Sequence, residues 1–157
     1  MSLVKKYENQ ILVMCIGNIG RSDDGLGWRF ADMLSNMLLS NITIEYRYQL
    51  QLEDALLVSE YPIVIFADST EELLENGYAI TSCAYSTHYF FSSHMQSPEN
   101  ILYLAETLYN KRPEAYTLAI AGEDWELGTE LSEKAEQHLQ EAFVQCKFFL
   151  QNLFGKT

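Results

Sequence analysis

Short apolar runs alternate with amphipathic segments along this chain, and the alternation constrains the fold more than any other feature. The runs at 10–17 (QILVMCIG) and 61–68 (YPIVIFAD) are almost uninterrupted, which is typical of strands covered on both faces. The run at 42–50 (ITIEYRYQL) mixes apolar and polar residues and indicates a strand with one less covered face. A fourth run at 114–122 (EAYTLAIAG) predicts the last strand.

The segments between these runs carry apolar residues at helical spacing. They predict four helices, at about 22–39, 53–60, 97–109 and 132–153. Ser97 can cap the third helix, and Pro98 fits its first turn. Residues 69–96 are the least regular, although YAITSCAYS at 78–86 has the composition of a strand.

Strands and helices joined by short loops predict a three-layer α/β sandwich. Its sheet should be mostly parallel, with about five strands flanked by helices. The sequence has no internal repeat or linker, so residues 1–157 are predicted to form a single domain.

The charge balance narrows the classes of partner. The formal net charge is -12, with 22 acidic residues against 10 Lys and Arg, which disfavours nucleic acid and anionic membranes. No apolar stretch approaches the roughly 20 residues that span a bilayer, and no signal peptide is recognisable, so membrane insertion is not expected. The three cysteines are widely spaced, which is typical of reduced thiols in a cytoplasmic protein.

A glycine-rich loop, GNIGRSDDGLG at 17–27, lies between the first predicted strand and the first helix. Such loops often cradle phosphate, but Asp23 and Asp24 would repel it and the G-x-G-x-x-G spacing is missing. We expect Gly17 and Asn18 to shape the turn. Gly25 and Gly27 would let the backbone approach a ligand, or would simply serve a tight turn. Nucleotide binding stays open as an alternative.

Three polar residues should meet at one edge of the sheet. Asp24 follows the first strand, Asp68 ends the third, and His94 lies beyond the next strand-like segment. Ligands of open α/β sheets bind outside the carboxyl ends of the strands, so these residues form a candidate site. Two carboxylates and an imidazole suit a divalent transition ion.

Other interpretations of the same residues remain open. The acids could favour the positive end of a helix, Asp68 could be a turn residue, and the histidine could be structural. Cys83 with His88 or His94 could form a thiol protease pair, though nothing in the sequence shows that they meet. His138 is expected on the protein surface.

The glycine loop resembles the N-terminal signature of the [NiFe] hydrogenase maturation proteases, G-N-x-x-x-x-D-[DE]-G-x-G or close variants. Three further stretches are similar to that family, in order and at compatible spacing: YQLQLEDALLVSEYPIVIFAD, SHMQSPENILYLAETLY and AIAGEDWELGTELS. The resemblance implies a phosphorylase/hydrolase-like fold. It also implies an endopeptidase that removes the C-terminal extension of a hydrogenase large-subunit precursor after nickel insertion.

The positions of the family's three metal contacts match Asp24, Asp68 and His94. The resemblance implies a divalent transition metal there, with nickel favoured, supplied by the enzyme or by the substrate. Asp24 and Asp68 are also the candidate catalytic residues of an aspartic-type endopeptidase, and Asp23 is a third candidate for activating water. The acidic loop at 123–130 is either a solvated face or the rim where the extension lies. A non-catalytic chaperone for the nickel-loaded large subunit is the alternative function.

Overall fold

A five-stranded sheet organises the chain in the computed structural model, which describes residues 10–89 and 96–154. The strand order is β2-β1-β3-β5-β4. The first three neighbouring pairs are parallel, and β4 lies antiparallel to β5 at the edge. The strands are β1 (Ile11–Ile16), β2 (Ile42–Arg47), β3 (Ile63–Thr70), β4 (Tyr78–Ser82) and β5 (Glu114–Ala121).

Four helices within the described residues cover the two faces of this sheet. They are α1 (Leu26–Ser35), α2 (Asp54–Ser59), α3 (Pro98–Tyr109) and α4 (Glu133–Phe154). Helices α1 and α4 share one apolar cluster with the sheet, whereas α2 and α3 share the other. The predicted three-layer α/β sandwich with a mostly parallel sheet is confirmed.

Strand β1 shows why its sequence is apolar throughout. Ile11, Val13 and Cys15 pack into the cluster of α1 and α4. Leu12 and Met14 alternate with them and pack into the opposite cluster. A central parallel strand buries both of its faces, so no position in it is left for a polar side chain.

Serine side chains cap the two longer helices of the second half of the chain. The Ser97 side chain accepts a hydrogen bond from the backbone N–H of Asn100 (3.1 Å), and Pro98 occupies the first helical position, as predicted. Ser132 accepts in the same way from the backbone N–H of Ala135 (3.1 Å). Its hydroxyl also reaches the glycine loop, as described below.

The first helix is shorter than its sequence pattern predicts. Residues 22–25 form a separate 3-10 turn, and α1 ends at Ser35 rather than near residue 39. After Ser35 the hydrogen bonds join residues three apart instead of four: Met37 donates to the carbonyl of Leu34, and Leu38 donates to that of Ser35. Leu38 adopts a left-handed φ of 53° and is exposed, so the apolar residues at 37–39 belong to the reversal into β2.

No helix within the described part of the chain is long and apolar enough to cross a membrane. The three cysteines are buried and free of disulfides.

Candidate active site at the carboxyl edge of the sheet

The structure brings Asp24 and Asp68 together at the edge where β1 and β3 end. Asp24 lies in the 3-10 turn that follows β1, and Asp68 lies near the end of β3. Ser69 joins them: its hydroxyl donates to Asp24 Oδ1 (3.2 Å) and its backbone N–H donates to Asp68 Oδ1 (2.8 Å). Two of the three predicted site residues therefore lie together, although they are far apart in the sequence.

Burial perturbs both carboxyl groups, and the negative charge of Asp24 perturbs Asp68 further. Burial raises the pKa of Asp68 to about 7, and the negative charge of Asp24 adds to the rise, while hydrogen bonds from Ser69 oppose it. Burial also raises the pKa of Asp24, against the hydrogen bond from Ser69 and the charge of Arg21. Pairs of carboxyl groups perturbed in this way are typical of catalytic and cation-binding sites.

Asp23 has a different role from its neighbour. Its side chain is fully buried, and its carboxylate accepts hydrogen bonds from the backbone N–H groups of Glu123, Asp124 and Ser132 and from the Ser132 hydroxyl (2.7–2.9 Å). Burial alone would raise the pKa of Asp23, but these donors outweigh it and hold the pKa below its usual range. Asp23 thus clamps the loop after β5 onto the glycine loop, and it has no exposed oxygen with which to activate water.

Two glycines of the loop permit close packing of backbone against backbone. A Cβ atom on Gly27 would lie 2.2 Å from the carbonyl oxygen of Ile16 and 3.0 Å from that of Ala67. A Cβ atom on Gly17 would lie 2.3 Å from the carbonyl oxygen of Asp24. These positions must stay without side chains so that α1 starts directly against the ends of β1 and β3. Their close contacts are to the protein's own backbone.

Most backbone N–H groups of the glycine loop are already hydrogen-bonded within the protein. The backbone N–H groups of residues 17–18 and 20–24 all donate to acceptors within the protein, among them Arg47, Asp24 and Gly128. A phosphate cradle needs several such groups to point outward at the ligand. The geometry therefore weighs against nucleotide binding at this loop, in agreement with the two acids it carries.

The two carboxylates fit a divalent cation, because a pair of perturbed carboxyl groups held side by side supplies the oxygen ligands and negative charge that such an ion needs. The third expected ligand, His94, lies outside the described residues. Within 10–89 and 96–154, no three His, Cys, Asp or Glu side chains are grouped to hold a metal ion. The three-residue metal site stays a prediction.

The remaining sequence candidates lie elsewhere. Cys83 is buried in the cluster of α2 and α3, and burial raises the pKa of its thiol to about 12, so it is not an activated nucleophile. His88 is exposed, and its Nδ1 lies 3.1 Å from the Thr87 hydroxyl. His138, expected on the protein surface, lines the open cleft described below. Its ring is half-buried against Gly77, and its Nδ1 lies 2.8 Å from the carbonyl oxygen of Ala121.

A cleft of about 440 Å³ opens beside the clamped loop. Its walls are the segment 72–77, the start of the loop at 121–123, and one side of α4. Gly122 connects this wall to the end of β3, because its N–H donates to the carbonyl of Thr70. It also packs against the glycine loop, since a Cβ atom on Gly122 would lie 2.6 Å from the Cβ atom of Asp23. Carboxylates of Glu72, Glu75 and Glu123 line the cleft.

Sequence reasoning missed Ser69 and Ser132, the two serines that connect these aspartates to their surroundings. Serine at the end of a strand or before a helix is common, so composition gives no signal for either. The position of Ser69 directly after Asp68 is its sole distinguishing feature in the sequence.

Comparison with known proteins gives a consistent result at the level of structure. No protein-family model matches the sequence, and no curated protein does. Among solved structures, the hydrogenase maturating endopeptidase HybD from E. coli superposes with a TM-score of 0.73 at 19% identity, covering 91% of this chain and 93% of that one.

Two archaeal structures agree with it. The hydrogenase 2 maturation peptidase from a Thaumarchaeota archaeon gives a TM-score of 0.66 at 22% identity, over 90% of this chain and 97% of that one. The [NiFe] hydrogenase maturation protease HycI from Thermococcus kodakarensis gives 0.69 at 16% identity, over 94% and 96%. The chain therefore has the fold of the [NiFe] hydrogenase maturation endopeptidases, with Asp24 and Asp68 at the carboxyl edge of its sheet.

Proposed function

We propose that this protein is an endopeptidase that removes the C-terminal extension of a [NiFe] hydrogenase large-subunit precursor after nickel insertion. The observation that carries the proposal is the joined pair of Asp24 and Asp68 in a fold shared with solved hydrogenase maturation endopeptidases. The resemblance of the glycine loop to the signature of those proteases supports it independently of the fold.

In this proposal Asp24, Asp68 and His94 contact a divalent transition ion, with nickel favoured. A bound ion of this kind polarises a carbonyl group or activates water. We favour nickel that arrives in the precursor, because its recognition would let the enzyme distinguish a loaded large subunit from an empty one. The ion is then part of the substrate, and the two carboxylates bind the precursor through it.

The protein's own chemistry centres on the two carboxyl groups. A group that titrates near neutral pH can take a proton from an attacking water molecule and return it to the leaving amine. Asp68, whose pKa is raised to about 7 while no ion is bound, is our candidate for this role. Asp24 lies beside it and contributes the second carboxylate of an aspartic-type site. Asp23 takes no part, because its oxygens are occupied by the loop after β5.

The extension of the precursor would lie along the rim formed by the loop at 123–130 and the adjoining cleft. Asp23 fixes the start of this loop against the glycine loop, so the rim is held in place before the substrate arrives. We place the reaction in the cytoplasm, where the three buried cysteines would remain reduced.

The proposal is tested by incubating the purified protein with a nickel-loaded large-subunit precursor and measuring intact masses. We expect a single loss of mass near the C-terminus, no cleavage of casein or short peptides, and no reaction with Asp68→Asn. Cleavage of casein would contradict the narrow specificity. Stable binding of the precursor without any change of mass would favour the chaperone function instead.

A further inference from the structure

We propose that Ser69 is a positioning residue whose hydroxyl holds the Asp24 carboxylate in register with Asp68. The inference rests on the proposed function in taking this carboxylate pair as the active site. It adds a residue to that site which neither the sequence motif nor the fold assigns.

Ser69 occupies a rigid position from which it reaches both acids. It lies on β3 and pairs with Ile120 of the neighbouring strand β5, so the sheet ladder fixes its backbone. Its N–H group donates to Asp68 Oδ1 (2.8 Å) and its hydroxyl donates to Asp24 Oδ1 (3.2 Å). One residue of the sheet thus contacts two carboxylates, one on its own strand and one in the 3-10 turn after β1.

The hydroxyl bond matters more than the backbone bond, because it is the directional contact of Asp24, whereas the charge of Arg21 attracts this carboxylate without fixing its orientation. Within residues 10–89 and 96–154, Ser69 is the one hydrogen-bond donor that the Asp24 side chain has. Asp68 carries a like charge nearby, and two such charges repel each other when no cation lies between them. Without the hydroxyl, the Asp24 side chain would turn toward solvent and the pair would lose its spacing.

Loss of a group that orients a ligand typically lowers metal affinity or activity by about 10- to 100-fold. We expect Ser69→Ala to do this while leaving the fold intact, because the substitution leaves the strand ladder unchanged. Ser69→Thr keeps a hydroxyl group at the same position and should restore most of the loss. Ser59→Ala is the matched control, since Ser59 is a buried serine of α2 whose hydroxyl donates to the carbonyl of Leu56.

The experiment measures three quantities for the full chain and these three variants. They are the affinity for Ni²⁺ alone by titration calorimetry, the kcat and KM for a nickel-loaded precursor, and the melting temperature. We expect Ser69→Ala to weaken Ni²⁺ binding or to lower kcat with little change in KM, by about 10- to 100-fold. Ser69→Thr and Ser59→Ala should stay within a few-fold of the wild type.

The outcomes separate this inference from the proposed function. If Ser69→Ala weakens Ni²⁺ binding but no precursor is processed even by the wild type, the positioning role stands and the proposed function fails. If the precursor is processed and Ser69→Ala matches the wild type in both affinity and kcat, the positioning role is overturned and the function stands. Equal losses in Ser69→Ala and Ser69→Thr would also overturn it, because the hydroxyl would then not be the cause.

Discussion

Replacing Asp68 by asparagine should stabilise the folded protein at pH 8, although it removes a proposed catalytic group. Burial and the charge of Asp24 raise the pKa of Asp68 from 3.8 to about 7. Between these two values the folded state holds a proton that the unfolded state releases. The free energy of unfolding therefore falls as the pH rises from about 4 to about 7, and it stays low above that.

The size of this effect follows from the two pKa values. Each pKa unit corresponds to about 1.4 kcal/mol, so the ionised Asp68 side chain costs the folded state at most ~4 kcal/mol at pH 8 and below about 2 kcal/mol at pH 5. Asparagine carries no charge, and it keeps the oxygen that accepts the hydrogen bond from the N–H of Ser69. Asp68→Asn should recover most of this free energy.

Asp23→Asn should have the opposite effect. Asp23 accepts four hydrogen bonds, and its lowered pKa means that its contribution to stability is present above the unfolded pKa and is lost as the pH falls through the folded value. An asparagine amide would turn an N–H group toward backbone N–H groups. We expect a loss of about 2–4 kcal/mol at neutral pH, since hydrogen bonds to charged groups contribute about 1.5–3 kcal/mol each.

The assay is urea unfolding of the wild type and both variants at pH 5 and pH 8, with a chelator present so that bound metal does not contribute. The expected result is an Asp68→Asn variant that is more stable than the wild type, by a larger margin at pH 8. Asp23→Asn should be less stable than the wild type at pH 8. The reasoning is refuted if Asp68→Asn is destabilised at pH 8, or if its gain is the same at both pH values.

Three further outcomes test other parts of the structure. His94→Ala should abolish precursor processing without lowering the melting temperature, whereas the control His88→Ala should process normally; an essential His88 and a dispensable His94 would contradict the assigned metal contacts. Gly27→Ala should lower the stability by about 1–3 kcal/mol, because its Cβ atom would press on the carbonyl of Ile16. The control Gly20→Ala, where the nearest atom is the Asn18 side-chain oxygen at 3.2 Å, should cost much less in the same denaturation experiment. Processing should resist alkylation of the native protein by iodoacetamide, because Cys83 is buried with a pKa of about 12; rapid inactivation through Cys83 would revive the thiol mechanism.

The apolar runs were sufficient to predict the layers of the fold, because a strand buried on both faces needs apolar residues at every position. They could not set the end of α1. Leucine and methionine at 37–39 continue the helical pattern, but the chain must reverse there to enter β2, and tertiary structure overrides the local preference. The antiparallel direction of β4 is likewise set by its pairing with β5 at the sheet edge.

The position of the candidate site could be predicted from the sequence, but the contacts of its individual residues could not. The parallel sheet places the carboxyl ends of β1 and β3 together, so Asp24 and Asp68 meet as expected. The different fates of Asp23 and Asp24 could not be read from two adjacent acids. They depend on contacts with Ser132 and Ser69, which lie 109 and 45 positions away.

Under the proposed function, Asp24 and Asp68 are required for cleavage of a large-subunit precursor that already carries nickel. The most direct measurement compares nickel-loaded and nickel-free forms of one precursor, each incubated with the wild type and with Asp24→Asn, and follows the loss of the C-terminal extension by mass spectrometry. We predict cleavage of the loaded form by the wild type alone. Equal cleavage of both precursor forms would contradict nickel recognition, and full activity of Asp24→Asn would contradict the assignment of the site.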